Sequence, residues 1–410
     1  MDTALTALMH YTDQEKKTRG LEHTPSEIHG QVDLWADTAG RIEGRLPEIR
    51  SFLKSFTGKE SSSCILTGAG TSEFIGYCVE GLIRKRLRLP TNVFSTTKIV
   101  TTPEDLFIPD MHTLMVSFAR SGNSPESVGA VRIADRLQEK VSHLVVTCNR
   151  EGNLMGEIEG REGCLAVDLH PDTNDQGLAM TSSFSNMVVA AQAVTHAFEP
   201  GLFAAHLDGM LSCGRRVMDS APEVIERLCG LEFDRAVFLG SGSNFGTAVE
   251  SHLKLQELTA GSVMCACDTF PGLRHGPEAV IHERTLVVAF LSRDPYVRRY
   301  EADLLKELKH KGLGRALMVC CDRASDPVPD LADFIVEYDP ALHHSLPDDL
   351  TPPVQVIPGQ LLGLFKSVQL GYRPDAPSES GVIHRVVEGV RVYDPVAYRR
   401  RGIFDVIAER

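Results

Sequence analysis

The sequence predicts an α/β protein of two tandem units, each an open, mostly parallel sheet flanked by helices, behind an N-terminal helical extension. Three observations predict it. Short continuous apolar runs alternate with longer amphipathic stretches such as Ser127–Gln138 and Tyr296–Leu308, the pattern of strands covered on both faces. The strongest runs end in glycine- or serine-rich turns that lead into helix-like segments. The whole pattern then recurs at a fixed interval.

The first unit begins with Cys64-Ile65-Leu66-Thr67-Gly68-Ala69-Gly70-Thr71-Ser72, and its counterpart is Ala236-Val237-Phe238-Leu239-Gly240-Ser241-Gly242-Ser243-Asn244, 172 residues later. The run Leu114–Phe118 recurs as Leu286–Phe290, and His143–Cys148 as Arg315–Cys320, both at the same offset of 172. Three strand-like blocks at one offset indicate a duplicated unit. Residues 1–44 read as the helical extension, 45–205 as the first unit, 215–395 as the second and 396–410 as a tail. Phe198-Glu199-Pro200-Gly201 marks the boundary between units. In open parallel sheets, ligands bind beyond the C-terminal strand ends, where these turns fall.

Composition narrows the function classes. The 410 residues carry a formal charge of −13 and one tryptophan, with no basic-aromatic stripe, which argues against a nucleic-acid surface. Local dipoles still bind phosphate whatever the global charge. The ten cysteines form no CxxC pair, since Cys265 and Cys267 are two apart and Cys320 and Cys321 adjacent. No metal site is expected, and the cysteines read as reduced core thiols of a cytoplasmic protein. The start, Met1-Asp2-Thr3-Ala4-Leu5, carries no secretory signal. No apolar run approaches the ~18 residues a membrane helix needs, so no membrane partner is expected.

Ala119-Arg120-Ser121-Gly122-Asn123-Ser124-Pro125-Glu126-Ser127 follows the apolar run Thr113–Phe118 and precedes a helix. Hydroxyls and backbone N–H groups converging at a helix N-terminus suit an anion; the same residues also suit a plain serine-rich cap. The second unit offers Ser292-Arg293-Asp294-Pro295-Tyr296 in that place. Asp294 would repel a phosphate, so the first unit is expected to hold the anion. Gly68-Ala69-Gly70 lacks the third glycine of a dinucleotide fingerprint, position 73 being Glu. It reads instead as a tight turn at Gly70 that presents Thr71 and Ser72 to a ligand. Gly177-Leu178-Ala179-Met180-Thr181-Ser182-Ser183 serves either as a helix cap or as a wall of that site. Lys254 and Glu257 share a helix face at i, i+3, as a surface ion pair or as proton-handling groups. Arg274-His275-Gly276-Pro277 presents a histidine from a loop.

Together these motifs resemble the tandem sugar isomerase (SIS) domain proteins over roughly 50–395 of the chain. The likeness is greatest to the bacterial branch of galactosamine-6-phosphate deaminase/isomerases and tagatose-6-phosphate ketose/aldose isomerases. The chain is also similar to the isomerase half of glucosamine-6-phosphate synthase. The resemblance implies a 6-phosphosugar substrate and no cofactor. It implies that Ser72, Ser121 and Ser124 hold the phosphate beside Arg120 and Asn123, and that Leu178, Ala179 and Thr181 line the sugar with Gly70 and Thr71. Glu257 would shuttle the proton, with Lys254 near it. His275, next to Arg274, would open the ring from a neighbouring subunit, implying a homodimer or larger homo-oligomer. The synthase's C-terminal lysine has no counterpart in Ser380–Val387, where His384 falls nearest. The expected reaction is therefore deamination with isomerisation, galactosamine-6-phosphate to tagatose-6-phosphate and ammonia, in the isomerase and hydrolase classes. A ketose/aldose isomerase, a glucosamine-6-phosphate deaminase and a non-catalytic phosphosugar sensor are the alternatives.

Overall fold

The computed structural model describes residues 3–57, 59, 61–378, 381–387 and 389–395; the 396–410 tail lies outside the described residues. Four helices open the chain: α1 Ala4–Met9, α2 Asp13–Arg19, α3 Thr24–Gly44 and α4 Leu46–Leu53. The first unit follows as β1 Ser62–Gly68, α5 Thr71–Leu87, β2 Thr91–Ser95, α6 Thr96–Thr101, β3 His112–Ala119, α7 Pro125–Leu137, β4 Val141–Thr147, α8 Asn153–Ile158, β5 Cys164–Asp168 and α9 Ser182–Thr195. The long helix α10 Pro200–Cys229 leads to the second unit: β6 Arg235–Gly240, α11 Ser243–Leu258, β7 Met264–Asp268, α12 Phe270–Leu273, β8 Thr285–Phe290, α13 Pro295–Lys311, β9 Ala316–Cys321, α14 Val328–Leu331, β10 Phe334–Glu337 and α15 Pro352–Gln369.

Both sheets are five-stranded and parallel, ordered β2-β1-β3-β4-β5 and β7-β6-β8-β9-β10. The two orders are the same order, as duplication requires. In each, the chain steps from its first strand to one side and then crosses to the other. The crevice at this reversal, between β1 and β3 or between β6 and β8, is where such sheets bind ligands. Registers Thr67↔Ser117 and Leu239↔Ala289 place the first turns and the β3 and β8 turns side by side. Strands β1, β6, β8 and β9 are buried over almost their full length, which explains their unbroken apolar runs.

The turn geometry follows from glycine. A β-carbon on Gly68 would lie 2.4 Å from the Ser72 backbone, and one on Gly240 would lie 2.1 Å from the Asn244 carbonyl oxygen. Only glycine lets the helix start this close to its strand.

The N-terminal extension is part of the core. Trp35 on α3 is fully buried and donates its indole N–H to Ser185 Oγ on α9 at 3.0 Å. The chain beyond α15 returns to the first unit. Asp375 accepts from the Thr24 N–H at 2.8 Å, Val392 packs on Gly129 of α7, and Asp394 pairs with Arg136 at 2.7 Å. Residues 381–395, read from sequence as the end of the second unit, thus lie across the first. Helices α5 and α11, equivalent in the duplication, pack on each other; a β-carbon on Gly246 would meet Cys78 Sγ at 2.5 Å. That contact brings the two units' first turns together.

All ten cysteines are free thiols. Burial pushes Cys64 and Cys148 up to about 12, as for inert core thiols. Among the described residues no helix is long and apolar enough to cross a membrane, and no cluster of metal-ligating side chains occurs.

Candidate active site

The serine-rich turn leaves β3 at the sheet reversal and enters α7 through Gly122, in the left-handed region at φ 67°. Its shape is braced from the β4–α8 side. Asn149 Nδ2 donates to the Ser121 carbonyl at 2.9 Å, and the Asn153 N–H donates to Asn123 Oδ1 at 3.0 Å. Ser121 Oγ accepts from the Asn123 N–H at 3.3 Å. Ser124 occupies the N-cap position yet makes no side-chain cap bond; its hydroxyl donates to Glu126 Oε2 at 2.7 Å. The plain-cap alternative therefore does not describe Ser124, and α7 begins without a side-chain cap.

Arg120 has a different place from the one expected. It is 7 % exposed, and its guanidinium donates to the carbonyls of Gly177 (3.2 Å), Leu178 (3.0 Å) and Arg385 (2.5 Å). Burial lowers its pKa, with Asp175 pulling the other way. Arg120 fixes the 177–178 loop and the returning C-terminal segment, and it contacts those backbones rather than standing free for a phosphate.

That loop is held at both ends. Glu27 Oε1 accepts from the N–H groups of Gln176 and Gly177 at 2.5 and 3.2 Å. Burial, helped by Asp175, pushes the Glu27 carboxyl up to about 8. Asp175 caps α9, accepting from the N–H groups of Thr181, Ser182 and Ser183 at 2.8, 3.1 and 2.9 Å. Thr181, expected to line the sugar, is fully buried: its hydroxyl donates to Asp175 and its carbonyl accepts from Gln360 Nε2 at 3.1 Å. The cap reading of this segment is the one the structure adopts, with Asp175 as the capping group. The Leu178 N–H donates to the Asp375 carbonyl at 3.0 Å, and the Ala179 side chain is fully buried.

The ionisable groups meet where α11 of the second unit faces the first turn of α5. Lys254 is 1 % exposed; its Nζ donates to Thr71 Oγ1 at 3.1 Å and to Glu257 Oε2 at 2.6 Å, and lies 3.4 Å from Glu250 Oε1. The surface-pair alternative for Lys254 fails on this burial. Burial disfavours its ammonium, but Glu250 and Glu257 outweigh that and hold its pKa above the ordinary lysine value. Glu250 is fully buried, and burial pushes it up to about 8 against the pull of Lys254. The Glu257 side chain keeps 25 % exposure, so it is the member of the cluster that a ligand can reach. Glu257 and Arg120 act electrostatically on one another, which puts the serine-rich turn and the carboxylate in one cleft. Ser72 is buried beside them, its hydroxyl 3.9 Å from Met180 Sδ, and Gly70 starts α5 at φ 56°.

His275 and Arg274 stand apart. Both are exposed on the turn after α12, where Arg274 Nε donates to Glu307 Oε2 at 2.6 Å. His384 is exposed as well, but the next residue, Arg385, reaches the cleft rim by donating to the Asp175 carbonyl at 2.8 Å. Glu250, Asp175, Glu27 and Arg385 escaped the sequence reading. Only Glu250 carries a local signal, standing four residues before Lys254 on the same helix face.

No protein-family model matches the chain. A Streptomyces coelicolor protein provisionally named D-galactosamine-6-phosphate deaminase AgaS is 37 % identical over 388 residues, covering 90 % of this chain and 95 % of that protein. An Escherichia coli O157:H7 protein named D-galactosamine-6-phosphate deaminase AgaS is 35 % identical over 373 residues, covering 90 % and 95 %. A crystal structure from Clostridium novyi NT, provisionally named a tagatose-6-phosphate ketose/aldose isomerase, matches with TM-score 0.91 at 32 % identity, covering 96 % of this chain and 99 % of that one. These likenesses correct the expected hydrolase class: the relatives are named for deamination and isomerisation.

Proposed function

The chain belongs to the AgaS family of galactosamine-6-phosphate deaminases, and we propose that it converts galactosamine-6-phosphate to tagatose-6-phosphate and ammonia. The observation that carries the site assignment is the contact across units: Lys254 of α11 bonded to both Thr71 and Glu257. The turn Ser121–Ser124, with Ser72, holds the phosphate at the start of α7, a position that favours an anion. This fixes the distal end of the sugar and brings C1 and C2 to Glu257.

In the open-chain sugar, Glu257 takes the C2 proton, and the electron pair left behind forms the C1–C2 double bond of an enaminol. The same carboxyl returns the proton to C1, leaving a hydroxymethyl group at C1 and an imine at C2. Water adds to C2, the C–N bond breaks, ammonia leaves, and C2 becomes the ketose carbonyl. No enzyme amine is needed, in keeping with the absence of lysine from 380–387. Lys254 orients Glu257 and offsets its charge.

Ring opening is assigned to His275. Its exposure away from the Lys254 cluster supports its acting on the cleft of a second copy, so the working form is a homodimer or larger homo-oligomer, in the cytoplasm. His384, beside the rim residue Arg385, is the second candidate for proton transfer at the ring oxygen.

The test is ammonia release from galactosamine-6-phosphate and glucosamine-6-phosphate, with ketose formation followed in parallel. The expected result is stoichiometric ammonia and ketose from the galacto substrate. Aldose–ketose exchange without ammonia overturns deamination, and binding without turnover points to a sensor.

A further inference from the structure

The duplication creates a second cleft. Ser243 lies 172 residues after Thr71, Asn244 after Ser72 and Glu257 after Lys85. Because α5 and α11 pack on each other, each cleft combines one unit's turns with the other unit's helix. The first cleft joins the Ser121 turn and Thr71 to Glu257. The second joins the Ser292 turn and Ser243 to Lys85.

The second cleft keeps the framework of the first. Arg293 grips the carbonyls of His344 (2.8 Å) and Leu346 (3.0 Å), as Arg120 grips those of Gly177 and Leu178. Ser292 Oγ accepts from the Asp294 N–H at 3.0 Å, as Ser121 Oγ accepts from the Asn123 N–H. The contents differ. Asp348 Oδ1 accepts from the Arg293 N–H at 2.8 Å, and its Oδ2 accepts from the Ser292 hydroxyl. Asp349 accepts from Ser243 Oγ at 3.1 Å and pairs with Lys85. Asp348 and Asp349 lie 172 residues after Gln176 and Gly177, so the loop that walls the first cleft drives two carboxylates into the second. Polar groups also remain unused there. The Tyr338 hydroxyl is buried among the charges of Asp322, Asp348 and Arg293 without a hydrogen-bond partner among the described residues, and so is Asn244 Nδ2.

We propose that this second cleft is a phosphosugar position sealed by the chain itself, with Asp348 in the phosphate place and Asp349 in the sugar place. It rests on the reading of the Ser121 turn as a phosphate cradle. The obstacle to anion binding is thus Asp348, arriving from a distant loop, rather than Asp294, which only caps α13 through the Tyr296 N–H. Replacing Asp348 by a small neutral residue vacates the Ser292 hydroxyl and the Arg293 N–H for a phosphate.

Calorimetric titration with inorganic phosphate tests this on the full chain in four forms: native, Ser121→Ala/Ser124→Ala, Asp348→Ser and the triple variant. The expected stoichiometry is about one phosphate per chain in native protein and about two in Asp348→Ser, since each anion-accepting turn adds one site. The double variant should lose the native site, and the triple variant should keep only the new one. Native stoichiometry in Asp348→Ser, with no binding to the triple variant, overturns the proposal. If the double variant still binds phosphate while Asp348→Ser gains a site, the Ser121 reading fails and the sealed cleft stands. Asp348→Asn, nearly isosteric, decides the matter if the serine variant does not fold: a weaker second site supports the proposal, and native stoichiometry rejects it.

Discussion

Lys254 and Glu257 share one helix face and a 2.6 Å ion pair, yet the lysine is 1 % exposed while the Glu257 side chain keeps 25 %. One partner is sealed and the other faces the cleft. A base that must meet substrate needs this asymmetry, because its cation is held in place by protein and its open side is left for carbon.

Glu257→Gln keeps the shape of that contact and removes the base. Turnover of galactosamine-6-phosphate should fall by about 10²–10⁴-fold, the usual contribution of a positioned acid–base group, while substrate affinity changes little. Single-turnover kinetics with equilibrium binding checks both. An unchanged kcat removes Glu257 from the mechanism.

Ser121→Ala/Ser124→Ala should act mainly on KM. The hydroxyls touch the phosphate alike in ground and transition states, so their loss is uniform binding energy. A fall in kcat with KM unchanged would place these serines at the chemistry instead.

Arg120→Met should loosen the 177–178 loop and the 381–387 segment together, because one guanidinium holds Gly177, Leu178 and Arg385. Amide exchange at Leu178 should speed up, and KM should rise with it. Protection equal to native would show that Glu27 and Asp375 suffice to hold the loop.

Glu27→Gln tests the pH dependence of stability. The folded-state value is raised from 4.5 to about 8 by burial, so the native state holds this proton where the unfolded chain has released it. The contribution is fully present below 4.5 and is lost as pH rises through about 8. Denaturant unfolding across that window should show a flatter stability profile for the variant than for native protein. A steeper profile, or an identical one, contradicts the assignment.

Mixing His275→Asn with Glu257→Gln tests the shared site. If His275 serves the partner's cleft, one of the two sites in each mixed dimer has both residues intact. Random reassembly of two inactive variants should then recover about a quarter of native activity through C2 exchange. No recovery on mixing places both residues in one subunit's site.

Local pattern exposed much of this molecule. Apolar runs ending in Gly68 and Gly240 predicted the strands, because a parallel strand buried on both faces leaves no polar alternation. The 172-residue offset predicted the matching sheet orders. Lys254 and Glu257 were legible as a pair through helix periodicity, and the serine turn as an anion site through its hydroxyls. The partners of these residues were not legible. Asp175, Glu27 and Arg385 reach the 174–181 loop from three distant parts of the chain, and nothing in their neighbours announces it. Arg120 read as a phosphate ligand because its position after β3 was visible and the carbonyls awaiting it were not.

By itself, then, the sequence determined the duplicated α/β architecture, the turns at the strand ends and the residue types available for sugar-phosphate chemistry. These are short-range properties, set by periodicity, glycine sterics and capping within a few residues. Only the tertiary structure decided that Lys254 is sealed while Glu257 is open, that Arg120 grips backbone and that Asp348 fills the second cleft. Each of those depends on burial and on contacts between segments far apart in the chain, where the packing of α5 on α11 selects which charged groups meet.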